Sequence, residues 1–276
     1  MEKLTTIDEA KRVMSAGLGE VELKLTISFC APIFWATLRE GKLRCRNGTA
    51  FFLNTGEKLF GVTACHVIDG WKRCPAEDRP GPLRLGGMGT SVLLNWDQRV
   101  IDADASIDIA TFNVDDSEVK SVGKTILTGA QKKWPPGTPP VSCGVYYAGF
   151  PGVGTIEMSP DMVSFGAMGG GGIATSVSEK DVSSQIEREY LTSYFGEGVP
   201  PENYDFRGLS GGPMLAVVES ALRSWALVGV VYQGPNTSLD ENEAIPGLEV
   251  IRARRSHFIL PDGKLDRARW AAVSLS

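Results

Sequence analysis

From about residue 22 onward the apolar residues of this chain recur in short runs of strand length, each closed by a turn signal. No other feature constrains the fold as tightly. The runs VELKLTISF, IFWATLRE, GTAFFLN, KLFGVTACHV, SVLLNWD and DIATFNV are rich in β-branched and aromatic residues, and REGK, RNG, NTGE and DRPGP punctuate them. The pattern resumes later as VSCGVYYAGF, DMVSFGAM, GGIATSVS, GGPMLAVV and WALVGVVYQG. Many short strands with Gly/Pro punctuation specify a sandwich or barrel; a parallel α/β sheet would need helix-length connections. Between the two series, AQKKWPPGTPP (130–140) carries four prolines and no apolar period. Proline stiffens a connection and cannot join a central strand, so this stretch reads as a linker between two halves.

The ends read differently. Thr6 and Glu9 form a capping-box pattern, with Ile7, Ala10 and Met14 on one face and Gly17 beyond, which predicts a helix over 6–16. Leu265, Ala268 and Ala271 or Ala272 give a weak stripe that predicts a second helix over 262–273. GGGG at 169–172 lacks the Lys-Ser/Thr of a phosphate loop, and GFPGVG lacks dinucleotide-binding spacing; both read as turns.

The 276 residues suffice to bury a core without covalent staples. A net charge of −5 argues against a nucleic-acid partner, and the local run Arg252, Arg254, Arg255, Arg267 and Arg269 reads as a solvated face. Five cysteines at irregular spacings form neither a CxxC pair nor a Cys/His cluster, so no metal or other cofactor is expected, and the thiols are expected to be reduced. No apolar run reaches the roughly 18 residues of a membrane span. The opening MEKLTTIDEAKRV is too charged for a secretory signal, so the expectation is a cytoplasmic protein with no membrane partner.

Acyl transfer by a serine needs a hydroxyl relieved of its proton, a base held in one tautomer, and donors awaiting an oxyanion. Gly208-Leu209-Ser210-Gly211-Gly212-Pro213 places a serine on a tight turn, where small neighbours leave its Oγ open. The N–H groups of Gly208 and Ser210 are the candidate oxyanion donors. The chain has two histidines; His66 follows the apolar strand in Thr63-Ala64-Cys65-His66, while His257, beside an arginine run, reads as a surface residue. Asp108 opens the apolar run DIATF and is the candidate acid, with Asp102 and Asp104 as nearby alternatives.

TACH, DIAT and GLSGGP, in the order His, Asp, Ser, resemble the chymotrypsin/trypsin-like serine peptidases, closest to their bacterial glutamyl-endopeptidase-like and HtrA-like branches. The separations, 42 residues from His66 to Asp108 and 102 from Asp108 to Ser210, are similar to that family's, as are GTAF at 48–51, AGFP at 148–151 and GVV at 229–231. The resemblance covers about residues 28–250. It implies an all-β fold of two six-stranded β-barrels, at 28–135 and 136–250, with an N-terminal helical extension at 1–27 and a C-terminal tail and helix at 251–276. It further implies a serine endopeptidase whose partner is a protein or peptide substrate, with His66, Asp108 and Ser210 as its triad. By alignment to the family, Tyr204, Arg207, Val231 and Gln233 belong to the substrate pocket.

Two departures stand out. Leu209 occupies the place where many secreted members carry the aspartate that pairs with a newly cut N-terminus, and Cys65 precedes the histidine where the family's cysteine follows it. Activation by N-terminal cleavage therefore loses its usual support, and restraint falls to residues 1–27, the C-terminal helix or a regulatory protein partner. The rival reading is a peptidase-like module that binds extended peptides by strand addition without chemistry. An α/β-hydrolase fails on the order of its triad residues.

Overall fold

The computed structural model describes residues 17–87, 89–128, 134–159, 162–186, 192–193, 205–218, 224–234 and 249–274. The helix expected at 6–16 lies outside them. The described elements run α1 (Gly19–Ser28), β1 (Cys30–Arg39), β2 (Lys42–Asn54), β3 (Leu59–Thr63), α2 (Cys65–Arg73), β4 (Arg84–Gly86), β5 (Ser91–Leu93), α3 (Trp96–Arg99), β6 (Val100–Asp104), β7 (Ile109–Asn113), α4 (Asp116–Ser121) and β8 (Leu127–Thr128). The second half holds β9 (Gly144–Gly149), β10 (Thr155–Ser159), β11 (Met162–Phe165), β12 (Met168–Val177), β13 (Asp181–Gln185), β14 (Thr192–Ser193), β15 (Pro213–Val218), β16 (Ser224–Gln233) and β17 (Val250–Arg255), and α5 (Arg267–Ser274) ends the described chain.

The chain is predominantly β, with few helices. Its second half closes on itself: the order β13-β17-β16-β15-β9-β12 returns through a β12–β13 pairing, which makes a six-stranded barrel with β14 appended to β12. The first half does not close. Its order is β5-β4-β1-β2-β3-β7-β6, with β8 alongside β2, and β5 and β6 do not pair with each other. The last strand of the closed barrel, β17, reaches Arg255, so that barrel extends past the expected boundary at 250. Residues 134–140 form neither helix nor strand.

Runs such as AFFL and LVGVV are apolar on both faces because their strands are covered on both faces. Ala50 and Phe52 of β2 face the core of the first sheet, while Phe51 and Leu53 join a second cluster with Leu227 and Val230 of β16. Val228 and Val231 of β16 turn instead into the closed barrel. The two sheets thus share an interior seam about Phe51, Phe60, Val62, Ile109, Leu215 and Phe258. Alternation sorts each strand between the two environments, and in β16 an irregularity at Val228 shifts its phase, so that Val228 and Val231 share the barrel face.

Several expectations need correction. VELKLTISF alternates like a strand, yet residues 19–28 are helical, with Leu23, Thr26 and Ile27 buried at helical spacing. The helix packs on Gly169 of β12, where an added Cβ would lie 3.2 Å from Leu23 and 3.3 Å from Ile27. GGGG is not a turn but part of β12. The space that side chains would take is filled by α1, Tyr147, Tyr146 and Ser184, so only glycine lets these neighbours approach. The C-terminal helix starts at Arg267, later than expected, and runs to Ser274, and its half-buried residues are Trp270 and Val273 rather than the alanine stripe.

Candidate active site

Strand β3 ends at Thr63 and helix α2 begins at Cys65, so His66 sits in the first turn of a helix and not within the apolar strand. The first N–H groups of a helix have no intrahelical acceptor. Asp108 supplies one: its Oδ1 accepts the His66 backbone N–H at 2.9 Å, while Oδ2 lies 2.8 Å from His66 Nδ1. One carboxylate therefore fixes both the backbone and the ring of the histidine. Asp108 holds φ +59°, the left-handed region that a short polar side chain tolerates at modest cost. Its own N–H donates to Asp104 O at 2.8 Å. The His66 side chain is 44% exposed and that of Asp108 17%, so the ring opens to solvent while its orienting acid is shielded.

Asp102 and Asp104 do other work. Arg267 makes a two-pronged pair with Asp102, at 2.7 Å on each prong, and its Nε lies 2.8 Å from Asp104. The Arg267 guanidinium holds the Asp102 carboxyl below the usual carboxylate range. Asp104 Oδ1 accepts from Ser106 and Ile107 N–H, which shapes the turn leading to Asp108. Arg254 grips the same turn: its Nε donates to Ile107 O at 2.8 Å and its Nη1 to Asp181 at 2.7 Å. The expected solvated arginine face is therefore wrong for Arg254, 9% exposed between the Ile107 turn and Trp270, and for Arg255, 2% exposed, whose guanidinium donates to Ser178 O and Thr138 Oγ1. Arg254 and Arg267 are site-supporting residues that local sequence reading missed; each meets its partners across 70 or more residues.

The serine lies on a turn pressed against the first sheet. Phe206 O accepts from Leu209 N–H at 3.1 Å, with Gly208 between them at φ +107°, as a type II turn demands. The carbonyl of Arg207 accepts from Gly152 N–H at 2.7 Å. A trans peptide directs its C=O and N–H oppositely, so the Gly208 N–H points away from Gly152. Neither Gly208 N–H nor Ser210 N–H has an acceptor among the described residues. Gly211, at φ +93°, approaches β2 and β3 so closely that an added Cβ would sit 1.9 Å from Thr49 O and 3.0 Å from Ala64 N. Thr49 N–H also donates to Ser210 O at 2.9 Å. The serine turn is thus docked two residues from His66.

His66, Gly208 and Ser210 line one cavity of about 910 Å³. Ser210 Oγ donates to Tyr232 O at 3.4 Å and makes no hydrogen bond to His66. Arg207 and Gln233 line the same cavity, together with Phe206, Tyr232 and Gly234. Val231 does not: alternation along β16 turns its side chain into the barrel core, and its N–H and C=O pair with Gly212 and Gly211. Tyr204 lies outside the described residues. Cys65 is no rival nucleophile. Burial and the carboxylates of Asp69, Asp108 and Asp104 push its thiol up to about 12, so the thiolate is scarce. All five cysteines are free.

His257 is buried at 7% exposure and not on the surface; Phe258 packs against it edge-on at 4.4 Å. Burial, then Arg255 and Arg269, push its imidazole down to about 4. Among the described residues, no group of three His, Cys, Asp or Glu could hold a metal ion, and no helix is long and apolar enough to cross a membrane.

No family model matches the sequence, and no curated protein matches it. One matching solved structure belongs to work on the coupled folding and binding, driven by aromatic interactions, of the intrinsically disordered VPg protein of Sesbania mosaic virus. It is 15% identical, covers 84% of this chain and 94% of its own, and aligns with a TM-score of 0.38. A likeness that distant carries no argument for fold or activity.

Proposed function

We propose that the chain is a serine endopeptidase of the chymotrypsin/trypsin-like type, with the closed barrel and the open first sheet standing for the two barrels of that fold. The observation that carries the reading is an imidazole held at 2.8 Å by a shielded carboxylate, on the wall of the cavity that also holds Ser210. Asp108 accepts from Nδ1–H, which leaves Nε2 as the basic nitrogen. A turn of Ser210 about Cα–Cβ exchanges the Tyr232 carbonyl for Nε2; catalytic hydrogen bonds are often unmade before substrate arrives. Oγ then attacks the scissile carbonyl as its proton passes to Nε2. The carbonyl oxygen gathers negative charge between the Gly208 and Ser210 N–H groups, each such donor contributing on the order of 10²–10³ in rate. Collapse breaks the C–N bond, the imidazolium gives its proton to the departing amine, and water repeats the cycle to release the acid.

A fluorophosphonate probe tests this. Ser210 in the intact chain is expected to be labelled. Ser210→Ala should abolish labelling, and His66→Ala should slow it by on the order of 10⁴. The unmade Ser210–His66 bond favours the rival, a strand-adding binding module. Folded protein that takes no label at Ser210 would favour that rival and refute the enzyme.

A further inference from the structure

The part of the cavity wall built by the first half of the chain is basic. Arg39 of β1, Arg46 of β2 and Arg73 of α2 line it, and among the described residues none of them pairs with a carboxylate. Arg207 also lines the cavity but is neutralised by Asp205 at 2.7 Å, and among the described residues Asp78 is the one carboxylate in the lining. The β1–β2 hairpin carries the charge outward. Arg39 stands directly across from Lys42, and Lys42, Arg44 and Arg46 fall at alternate positions of one strand, hence on one face. Like charges opposed on a ladder destabilise it, so this array costs the fold stability. It also runs against the net charge of −5.

From this we infer that the cleft takes an acidic peptide segment, whose carboxylates lie along Arg39, Arg46 and Arg73 while the reacting bond sits at Ser210. The inference rests on the proposed peptidase reading for the identity of the cleft. A peptide is favoured over a nucleic acid because the same cavity holds an acyl-transfer constellation and the molecule as a whole is anionic.

Binding is measured on full-length Ser210→Ala protein, so that no chemistry intervenes. Fluorescent deca-glutamate and deca-glutamine are compared by anisotropy at low and moderate salt, with a single-stranded RNA decamer as competitor. Three exposed charge pairs correspond to about a tenfold preference for the glutamate peptide, shrinking as salt rises. Arg39→Glu/Arg46→Glu should remove that preference with a melting temperature no lower than the parent's, because it also relieves the opposition of Arg39 and Lys42, and Arg73→Glu alone should remove part of it. Equal binding of both peptides overturns the inference, as does a preference that survives the double charge reversal or displacement by RNA at lower concentration than by the peptide. Fluorophosphonate labelling of the unmodified chain reports the chemistry separately: label without acidic preference refutes this inference alone, and acidic preference without label refutes the peptidase.

Discussion

Replacing Arg254 with methionine is expected to cost about 4 kcal/mol and to slow labelling of Ser210 by more than the folded fraction explains. The side chain is 9% exposed, and its guanidinium lies 4.6 Å from the rings of both Tyr232 and Trp270. Removing one partner of a buried ion pair costs about 3–5 kcal/mol. The Asp181 side chain is 28% exposed, which argues for the lower end, about 3 kcal/mol. The carbonyl of fully buried Ile107 loses its donor at about 1 kcal/mol more. In urea this amounts to a midpoint lower by roughly 1–2 M. Burial already pushes the Asp181 carboxyl up, and Arg254 pulls it back. Without the arginine its folded pKa rises further above the unfolded value, so stability falls as pH climbs through that range. The penalty should therefore be larger at pH 8 than at pH 5. Labelling should slow because Ile107 O is one peptide from Asp108, whose left-handed backbone needs the turn held. Arg254→Lys keeps a charge for Asp181 but cannot serve both acceptors, and should fall between. A midpoint within 0.3 M (about) of the parent for Arg254→Met, with unchanged labelling, would refute the reasoning.

Three further outcomes follow from the same contacts. Arg267→Ala frees Asp102 and Asp104; the arginine is 48% exposed, so the loss of stability should be about 1 kcal/mol, with labelling again slowed. Gly211→Ala puts a methyl 1.9 Å from Thr49 O at a φ of +93°, so protein that folds at all should melt many degrees lower and leave Ser210 unlabelled. His257 should make the chain acid-sensitive: with its folded pKa at about 4 against about 6.5 unfolded, stability is full above pH 6.5 and is lost as pH falls towards 4, by about 3 kcal/mol. His257→Phe should flatten that limb in a urea titration across pH, and an unchanged limb would assign it to other groups.

What the sequence made legible was what local pattern encodes. The serine turn reads from its glycines because Gly208 and Gly211 adopt positive φ where the chain meets β2 and β3. His66 and Asp108 read from short motifs flanking strands. The failures share a cause of the opposite kind. VELKLTISF satisfies a period of two, but the covering surface, a barrel wall thinned by Gly169, accepts Leu23 and Ile27 of a helix. In β17, alternation correctly turns Ile251 and Ala253 into the barrel and Arg254 outward; it says nothing of the first sheet and the C-terminal segment that cover the outward face. His257 is misread for the same reason.

That covering segment makes the site a property of the whole chain. Thr111 Oγ1 donates to Gly263 O at 2.6 Å, Leu265 N–H donates to Asp102, and Arg267 closes on Asp102 and Asp104, so residues 263–267 clasp the strands on either side of Asp108. A C-terminal helix that restrained the site would be expected to lie over the cavity, yet none of its residues lines it. Its contacts hold the acid in place, which is support rather than inhibition. Removal of residues from 263 onward should accordingly lower labelling instead of releasing it, and a truncated chain that reacts faster than the parent would mean that the clasp strains Asp108 away from His66.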